Sequence, residues 1–275
     1  MKKLRIGFSP CPNDTFIFDA LIHGKINAEG LEFEVYMADV EELNQMALRG
    51  ELDITKLSYH AFLHVLEGYI MMDSGSALGN NCGPLLIKST GDENPSETDL
   101  IAIPGKYTTA NFLLNYAFPD LQNKKEILFS EIESAIKNTK VGAGLIIHEN
   151  RFTYADRGFE KVKDLGEHWE QQTGMPIPLG GIAIKRNVDK ALQEKVQRLI
   201  RKSLEYAFAN PTESLAFVKQ NAQEMDAEIM QKHINLYVNE YSLSLGEKGK
   251  AAIQYMYDFS VGKKLIDGTD EELFV

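Results

Sequence analysis

Cysteine is scarce: only Cys11 and Cys82 occur in 275 residues. Two thiols cannot make a disulfide framework or a zinc site built on three or four thiolates. Long apolar runs are missing too. The longest, as at residues 69–72, are short and interrupted, far below the roughly 20 residues a membrane-spanning helix needs. Positive charge is in deficit, with 29 Lys and Arg against 40 Asp and Glu, a net charge of −11. A nucleic-acid partner is therefore not expected, because such binding draws on a basic surface. No Gly-x-Gly-x-x-Gly, Walker loop, EF-hand loop or His-Glu-x-x-His occurs, so nucleotide cofactors, structural calcium and zincin chemistry lack support. No internal repeat or low-complexity tract stands out.

What is present is the composition of an ordinary globular protein, 44% hydrophobic and 25% charged. The first residues are basic, but Pro10, Pro12 and Asn13-Asp14 interrupt the apolar stretch a signal peptide needs. A soluble, cytoplasmic protein is expected. Strands are expected at residues 4–8, 31–37, 52–55, 84–88, 100–103, 127–129, 141–147 and 179–185. Helical spacing falls between several of them. Asp39 with Glu42 has the capping-box pattern, and Ser58 is placed to cap a helix. From residue 189 onward helices follow one another, at 189–209, 212–225, 227–242 and 246–266. Strands alternating with helices imply a largely parallel α/β sheet, which binds ligands at the carboxyl ends of its strands.

Four stretches put polar groups just after expected strands: residues 9–15, 55–58, 104–109 and 148–154. Gly105 allows a tight turn, and Thr108-Thr109 precede a helical run, so free N–H groups there suit a carboxylate or phosphate. A simple N-cap is the commoner explanation of such a Thr. Lys56 adds a counter-charge beside Ser58, although a capped helix with a solvated Lys is the blander alternative. His148 follows the apolar run 144–147 and titrates near neutrality, as a general base must. A surface His, or a core His bonded to a carbonyl, explains the same pattern. His60 and His64 share one helix face with Glu67 a turn on, but without a metal-binding motif the pair reads as incidental. Cys11 has no nearby His and reads as a small hydrophobe.

These stretches carry a family resemblance. Gly7-Phe-Ser-Pro-Cys-Pro-Asn-Asp-Thr-Phe-Ile-Phe18, Thr55-Lys-Leu-Ser-Tyr59, Pro104-Gly-Lys-Tyr-Thr-Thr-Ala110, Gly144-Leu-Ile-Ile-His-Glu-Asn-Arg-Phe-Thr-Tyr154, Leu179-Gly-Gly181 and the ending Leu273-Phe-Val275 resemble the 1,4-dihydroxy-6-naphthoate synthase family of the futalosine route to menaquinone. The likeness runs over essentially the whole chain. Tyr107 departs from it, since some members carry a His there, and the change bears on local hydrogen bonding.

The resemblance implies an α/β, two-lobed fold of the periplasmic-binding-protein type (type II), with a cleft between the lobes and a helical C-terminal region. The larger lobe would comprise residues 1–87 and 183–275, the smaller 88–182. It implies a lyase that turns cyclic dehypoxanthine futalosine into 1,4-dihydroxy-6-naphthoate without cofactor or metal. His148 would be the base. Lys56, Leu57, Ser58, Thr108, Thr109, Asn44 and Ile147 would bind the small aromatic carboxylate. The alternatives are a non-catalytic carboxylate-binding protein of the same fold and a relative of chorismate dehydratase, which should lack the Gly-Leu-Ile-Ile-His motif.

Overall fold

The structure is a computed structural model describing residues 2–222 and 226–275. The chain divides into two compact units, Met1–Gly79 with Pro178–Val275, and Asn80–Ile177. Crossings were expected after residues 87 and 182. The strand at residues 85–89 pairs wholly inside the second unit's sheet, and from Gly180 the chain pairs inside the first unit's sheet.

The first unit opens with β1 (Lys2–Phe8), α1 (Pro12–Ile22), β2 (Leu31–Met37), α2 (Val40–Leu48), β3 (Ile54–Ser58), α3 (Tyr59–Leu63), β4 (Tyr69–Met71) and β5 (Ala77–Gly79). The second contains β6 (Leu85–Ser89), β7 (Ile101–Ile103), α4 (Thr109–Ala117), β8 (Lys124–Glu126), α5 (Ile132–Lys137), β9 (Ala143–Ile146), β10 (Phe159–Asp164) and α6 (Leu165–Thr173). Short 3-10 turns occupy Phe129–Glu131 and His148–Phe152. The chain then returns to the first unit through β11 (Ile177–Lys185), followed by α7 (Lys190–Ala209), α8 (Leu215–Asn221), α9 (Ala227–Tyr237), α10 (Glu240–Leu243) and α11 (Gly246–Gly262).

The first unit's sheet has the order β2-β1-β3-β11-β4, with β5 paired to β11. β1 is parallel to β2 and β3, and β11 is antiparallel to β3 and β4. The second unit's sheet has the order β10-β6-β9-β7-β8. There β7 is parallel to β8 and β9, and β6 is antiparallel to β9 and β10. Each sheet therefore holds a parallel trio with its earliest strand in the centre, followed by one antiparallel strand. The sequence shows no repeat, yet the topology does. The expected largely parallel sheet is corrected to two mixed sheets. β11 and β6 are not delivered by a strand–helix–strand crossover, so nothing forces them parallel.

Local chemistry explains most element ends. α1 starts with Pro12 in its first turn, where a missing N–H costs nothing. Residues 12–21 of α1 are buried, and the helix packs against α7, α8 and α9. A helix enclosed like this carries apolar residues all round, here Phe16, Ile17, Phe18 and Leu21. Asp39 caps α2 by accepting from Glu41 N–H at 3.0 Å, a simple cap rather than the expected box. Asp189 caps α7 through Leu192 N–H. The helix expected over 227–242 breaks after Tyr237, because Asn239 and Ser242 form a capping box that starts α10. The helix expected over 212–225 is α8, and its last three residues, 223–225, lie outside the described residues.

Gly180 and Gly181 let β11 lie close to its neighbours. A Cβ at Gly180 would sit 2.8 Å from the Leu57 carbonyl oxygen, and one at Gly181 2.4 Å from the Met71 sulfur. The first core gathers β1, α1, α7 and α9 around Phe8, Ile17, Ile182 and Leu199, and the second gathers around Ile87, Ile132, Ile136 and Ile146.

Candidate functional site

In the first unit, β1 and β3 are parallel neighbours, with Ile6 opposite Ile54 and Gly7 opposite Thr55. The turn after β1 and the last residues of β3 thus share the carboxyl edge of the trio, where α/β sheets place their sites. Residues 55–58 lie within β3 rather than after it. Alternation sends Lys56 and Ser58 to one face and Thr55 and Leu57 to the other. Leu57 is fully buried and pairs with Gly181 in the ladder.

Lys56 is also buried, and its ammonium lies 3.1 Å from Asp14 Oδ1 and donates to the Gly75 carbonyl at 2.8 Å. Asp14 further accepts from Ser9 N–H, Ser9 Oγ at 2.7 Å and Asn13 Nδ2 at 2.8 Å. Asn13 Oδ1 in turn meets His233 Nε2 at 2.9 Å. Lys56 therefore enters the site as half of an ion pair, not as a lone positive charge. Ser58 occupies the N-cap of α3, but its side chain makes no cap bond. Its N–H donates to Asn44 Oδ1 at 2.9 Å, and its hydroxyl accepts from Asn44 Nδ2 at 3.2 Å. Asn44, from α2, is fully buried and also donates to Glu41. Asn44 and Ser58 are thus brought together.

The second unit repeats the arrangement. β7 and β9 are parallel neighbours, so the loop into α4 and the residues after β9 share one carboxyl edge. Thr108 is the N-cap of α4: its hydroxyl accepts from Asn111 N–H at 3.3 Å and donates to the Gly105 carbonyl at 2.8 Å. Thr109 is the first helical residue, and both threonines are buried. Asn111, not foreseen from sequence, donates through Nδ2 to the Lys106 carbonyl at 2.8 Å. Its Oδ1 is buried and accepts no hydrogen bond among the described residues.

Ile147 is extended and half-buried after β9. His148 then adopts φ +57°, a left-handed conformation uncommon outside glycine. Its ring meets Phe129 edge-on, with centroids 5.0 Å apart. The turn His148–Phe152 is fastened at two points. Asn150 Nδ2 donates to Glu133 Oε1 at 3.1 Å, while Arg157 pairs with Glu133 Oε2. Arg151 donates to the Gly83 carbonyl and lies 3.4 Å from Asp164. Neither Phe129 nor Glu133 was singled out from sequence, and Arg151 stood in the stretch 148–154 without its partners Gly83 and Asp164, because these contacts join different elements.

Both cysteines are buried, and burial pushes the Cys82 thiol up to about 12. His60 and His64 form a ring pair at one end of α3. Among the described residues no group of three or more His, Cys, Asp and Glu is arranged to hold a metal ion. Among them, too, no helix is long and apolar enough to cross a membrane.

The profile of the family described as "Menaquinone biosynthesis" matches residues 4–261. The chain belongs to the menaquinone-biosynthesis family. Two relatives named "1,4-dihydroxy-6-naphtoate synthase" are similar to it from end to end. The one from Thermus thermophilus is 41% identical over 276 residues, covering 100% of both chains. The one from Streptomyces coelicolor is 41% identical over 269 residues, covering 96% of this chain and 94% of its own. A solved structure of an Archaeoglobus fulgidus protein is 35% identical, with a TM-score of 0.90, over 96% of this chain and 98% of that one. More distant structures show the fold alone. The alkanesulfonate-binding protein SsuA of Xanthomonas axonopodis pv. citri has a TM-score of 0.73 at 12% identity, over 98% of this chain and 95% of that one. A Candida albicans protein described as having the generic periplasmic binding protein fold has a TM-score of 0.71 at 12% identity, over 98% and 92%. This member of the menaquinone-biosynthesis family therefore has the periplasmic-binding-protein-like fold.

Proposed function

We propose that the chain is a 1,4-dihydroxy-6-naphthoate synthase, a carbon–carbon lyase acting on cyclic dehypoxanthine futalosine. The observation that carries this reading is the 41% identity, over the full length of both chains, to a relative of that name. The geometry supports it. Each parallel trio presents its candidate residues at the carboxyl ends of neighbouring strands, and His148 sits in a strained, doubly fastened turn. Backbone strain held by its surroundings is common where a group is positioned for chemistry.

In this reading the N–H groups at the start of α4, with Thr109, receive the aryl carboxylate of the substrate, since a helix start favours an anion. On the first unit Ser58, oriented by Asn44, is the candidate substrate-binding hydroxyl, and Lys56 with Asp14 fixes the strand that carries it. Asn111 Oδ1 accepts from a substrate hydroxyl. Leu57 and Ile147 supply backbone and apolar surface. His148, neutral, takes a proton from the substrate; the electron pair released breaks the carbon–carbon bond, the small sugar-derived fragment leaves as the second product, and His148 returns its proton as the products form. Formation of the aromatic naphthalene ring draws the reaction forward. Holding substrate and base in one geometry supplies much of the rate. The reading includes a cytoplasmic location and no cofactor.

The test is direct. Pure protein mixed with the cyclic substrate should yield 1,4-dihydroxy-6-naphthoate, identified by chromatography against authentic material. Binding without turnover would favour a carboxylate-binding protein, and dehydration of chorismate instead would favour the pathway relative.

A further inference from the structure

The reaction proposed above gives no role to His60, in α3, or to His64, the C-cap residue that follows it. They stand four residues apart, so successive turns bring their rings over one another. Their ring centroids are 5.0 Å apart and their Nε2 atoms 3.4 Å apart. That second distance carries chemical information. Imidazole nitrogens bind zinc at about 2.0–2.1 Å, in a tetrahedron. Two nitrogens held at about 2.1 Å from one centre, at the tetrahedral angle, lie about 3.4 Å from each other. In the structure the two Nε2 atoms share a hydrogen bond at this distance, and an ion that replaces the shared proton would find them spaced as the two ends of a chelate.

The surroundings agree. His64 is exposed and His60 half-buried, so an ion reaches the pair from solvent. His64 also lines a surface groove with Glu67, Asp267 and Thr269. The two carboxylates that line this groove with His64 raise the local concentration of cations. The chain as a whole carries −11, which acts in the same direction. Imidazole ligands select late first-row ions such as Zn²⁺, Ni²⁺ and Cu²⁺ over Mg²⁺ and Ca²⁺, which prefer oxygen.

We infer that His60 and His64 form a bidentate binding site for a divalent late transition-metal ion, Zn²⁺ foremost. The remaining two positions of the tetrahedron are open to water or to a ligand from outside the chain. Among the described residues no third protein ligand is arranged there, so the site loads reversibly rather than locking a structural ion. The observation this proposal adds to the sequence reading of the pair as incidental is the Nε2 spacing, which four-residue periodicity alone does not determine.

The experiment uses the full chain, stripped of metal by chelator and dialysed. Zn²⁺ is titrated in calorimetrically, with Mg²⁺ as the comparison. One Zn²⁺ per chain should bind, and Mg²⁺ should not compete. His60→Gln and His64→Gln should each weaken Zn²⁺ binding by about tenfold or more, with unchanged far-UV circular dichroism. Co²⁺ in place of Zn²⁺ should give the visible bands of tetrahedral coordination in the wild type and lose them in both variants. Zn²⁺ affinity within twofold of wild type in either variant would overturn the inference. So would equal binding of Mg²⁺, which would place the ion on the carboxylates instead. Because the readout is metal binding, failure here leaves the proposed lyase activity untouched, and absence of lyase activity leaves this site standing.

Discussion

The buried pair of Asp14 and Lys56 invites a two-sided test. Their side chains are 2% and 7% exposed and their charged atoms lie 3.1 Å apart. The two partners are not equally dependent on each other. Asp14 also accepts from Ser9 N–H, Ser9 Oγ and Asn13, whereas Lys56 has besides Asp14 the Gly75 carbonyl. Asp14→Asn therefore leaves an ammonium buried on one neutral acceptor. Breaking a buried pair from one side costs about 3–5 kcal/mol. Lys56→Met leaves a carboxylate that keeps three donors, each worth roughly 1.5–3 kcal/mol to a charged group. Its cost should be smaller, about 2 kcal/mol. The double variant should recover at least about 2 kcal/mol of the summed losses, because no lone charge remains. Fluorescence of Trp169, the single tryptophan, reports the second unit and is the wrong probe. Amide hydrogen exchange in peptides from α1 and β3 is the right one. The reasoning is refuted if Asp14→Asn costs under about 1 kcal/mol, the range of an exposed pair, or if Lys56→Met proves the more damaging change.

Other outcomes follow from the same contacts. Ser58→Ala and Thr109→Ala should each weaken naphthoate binding by calorimetry, by an amount near the 1.5–3 kcal/mol of a hydrogen bond to a charged group; unchanged affinity in both would remove them from the site. Arg151→Ala releases the His148 turn from the Gly83 carbonyl and Asp164, and should lower kcat more than it raises KM; an unchanged kcat would show that the turn holds without it. With its thiol near 12 rather than 9, Cys82 should react with iodoacetamide at pH 8 about 1,000-fold more slowly in the folded than in the unfolded protein. Because the folded state disfavours the thiolate, the stability Cys82 contributes is full below pH 9 and declines as pH rises from there towards 12, as a pH series of melting curves would register. Alkylation of the native protein at the unfolded rate would contradict the burial.

Much of the fold was legible because local chemistry and packing agree. β2 falls on the expected residues 31–37, although its burial does not alternate and Val35, Tyr36 and Met37 are exposed, and Asp39, Thr108 and Asp189 cap the helices they precede. β10 was missed because Phe159–Asp164 is mostly charged and lies at the edge of its sheet, where Lys and Glu are tolerated. β8 was expected at residues 127–129 but runs over Lys124–Glu126, since Phe129 turns into the core of its unit instead. β4 and β5 are three residues each, too short for any period to show. Of the candidate residues, Asn44 and Ser58 are joined by two hydrogen bonds, which residue spacing alone does not reveal. The Asp14–Lys56 pair and the Glu133–Asn150 contact were invisible because they join distant segments through tertiary packing. The left-handed backbone of His148 was equally hidden, since His carries no sequence mark of positive φ as glycine does.

That backbone also decides which variant tests the chemistry best. Alanine at φ +57° adds strain of its own, whereas asparagine tolerates the left-handed region and keeps a polar side chain. Steady-state turnover of cyclic dehypoxanthine futalosine should therefore be measured for wild type and His148→Asn together, with substrate binding checked in both. A positioned general base contributes roughly 10²–10⁴-fold. The account expects wild-type protein to form 1,4-dihydroxy-6-naphthoate, and His148→Asn to bind substrate while kcat falls into that range. No naphthoate from the wild type, or a His148→Asn kcat within about threefold of it, well below what a base supplies, would contradict the account.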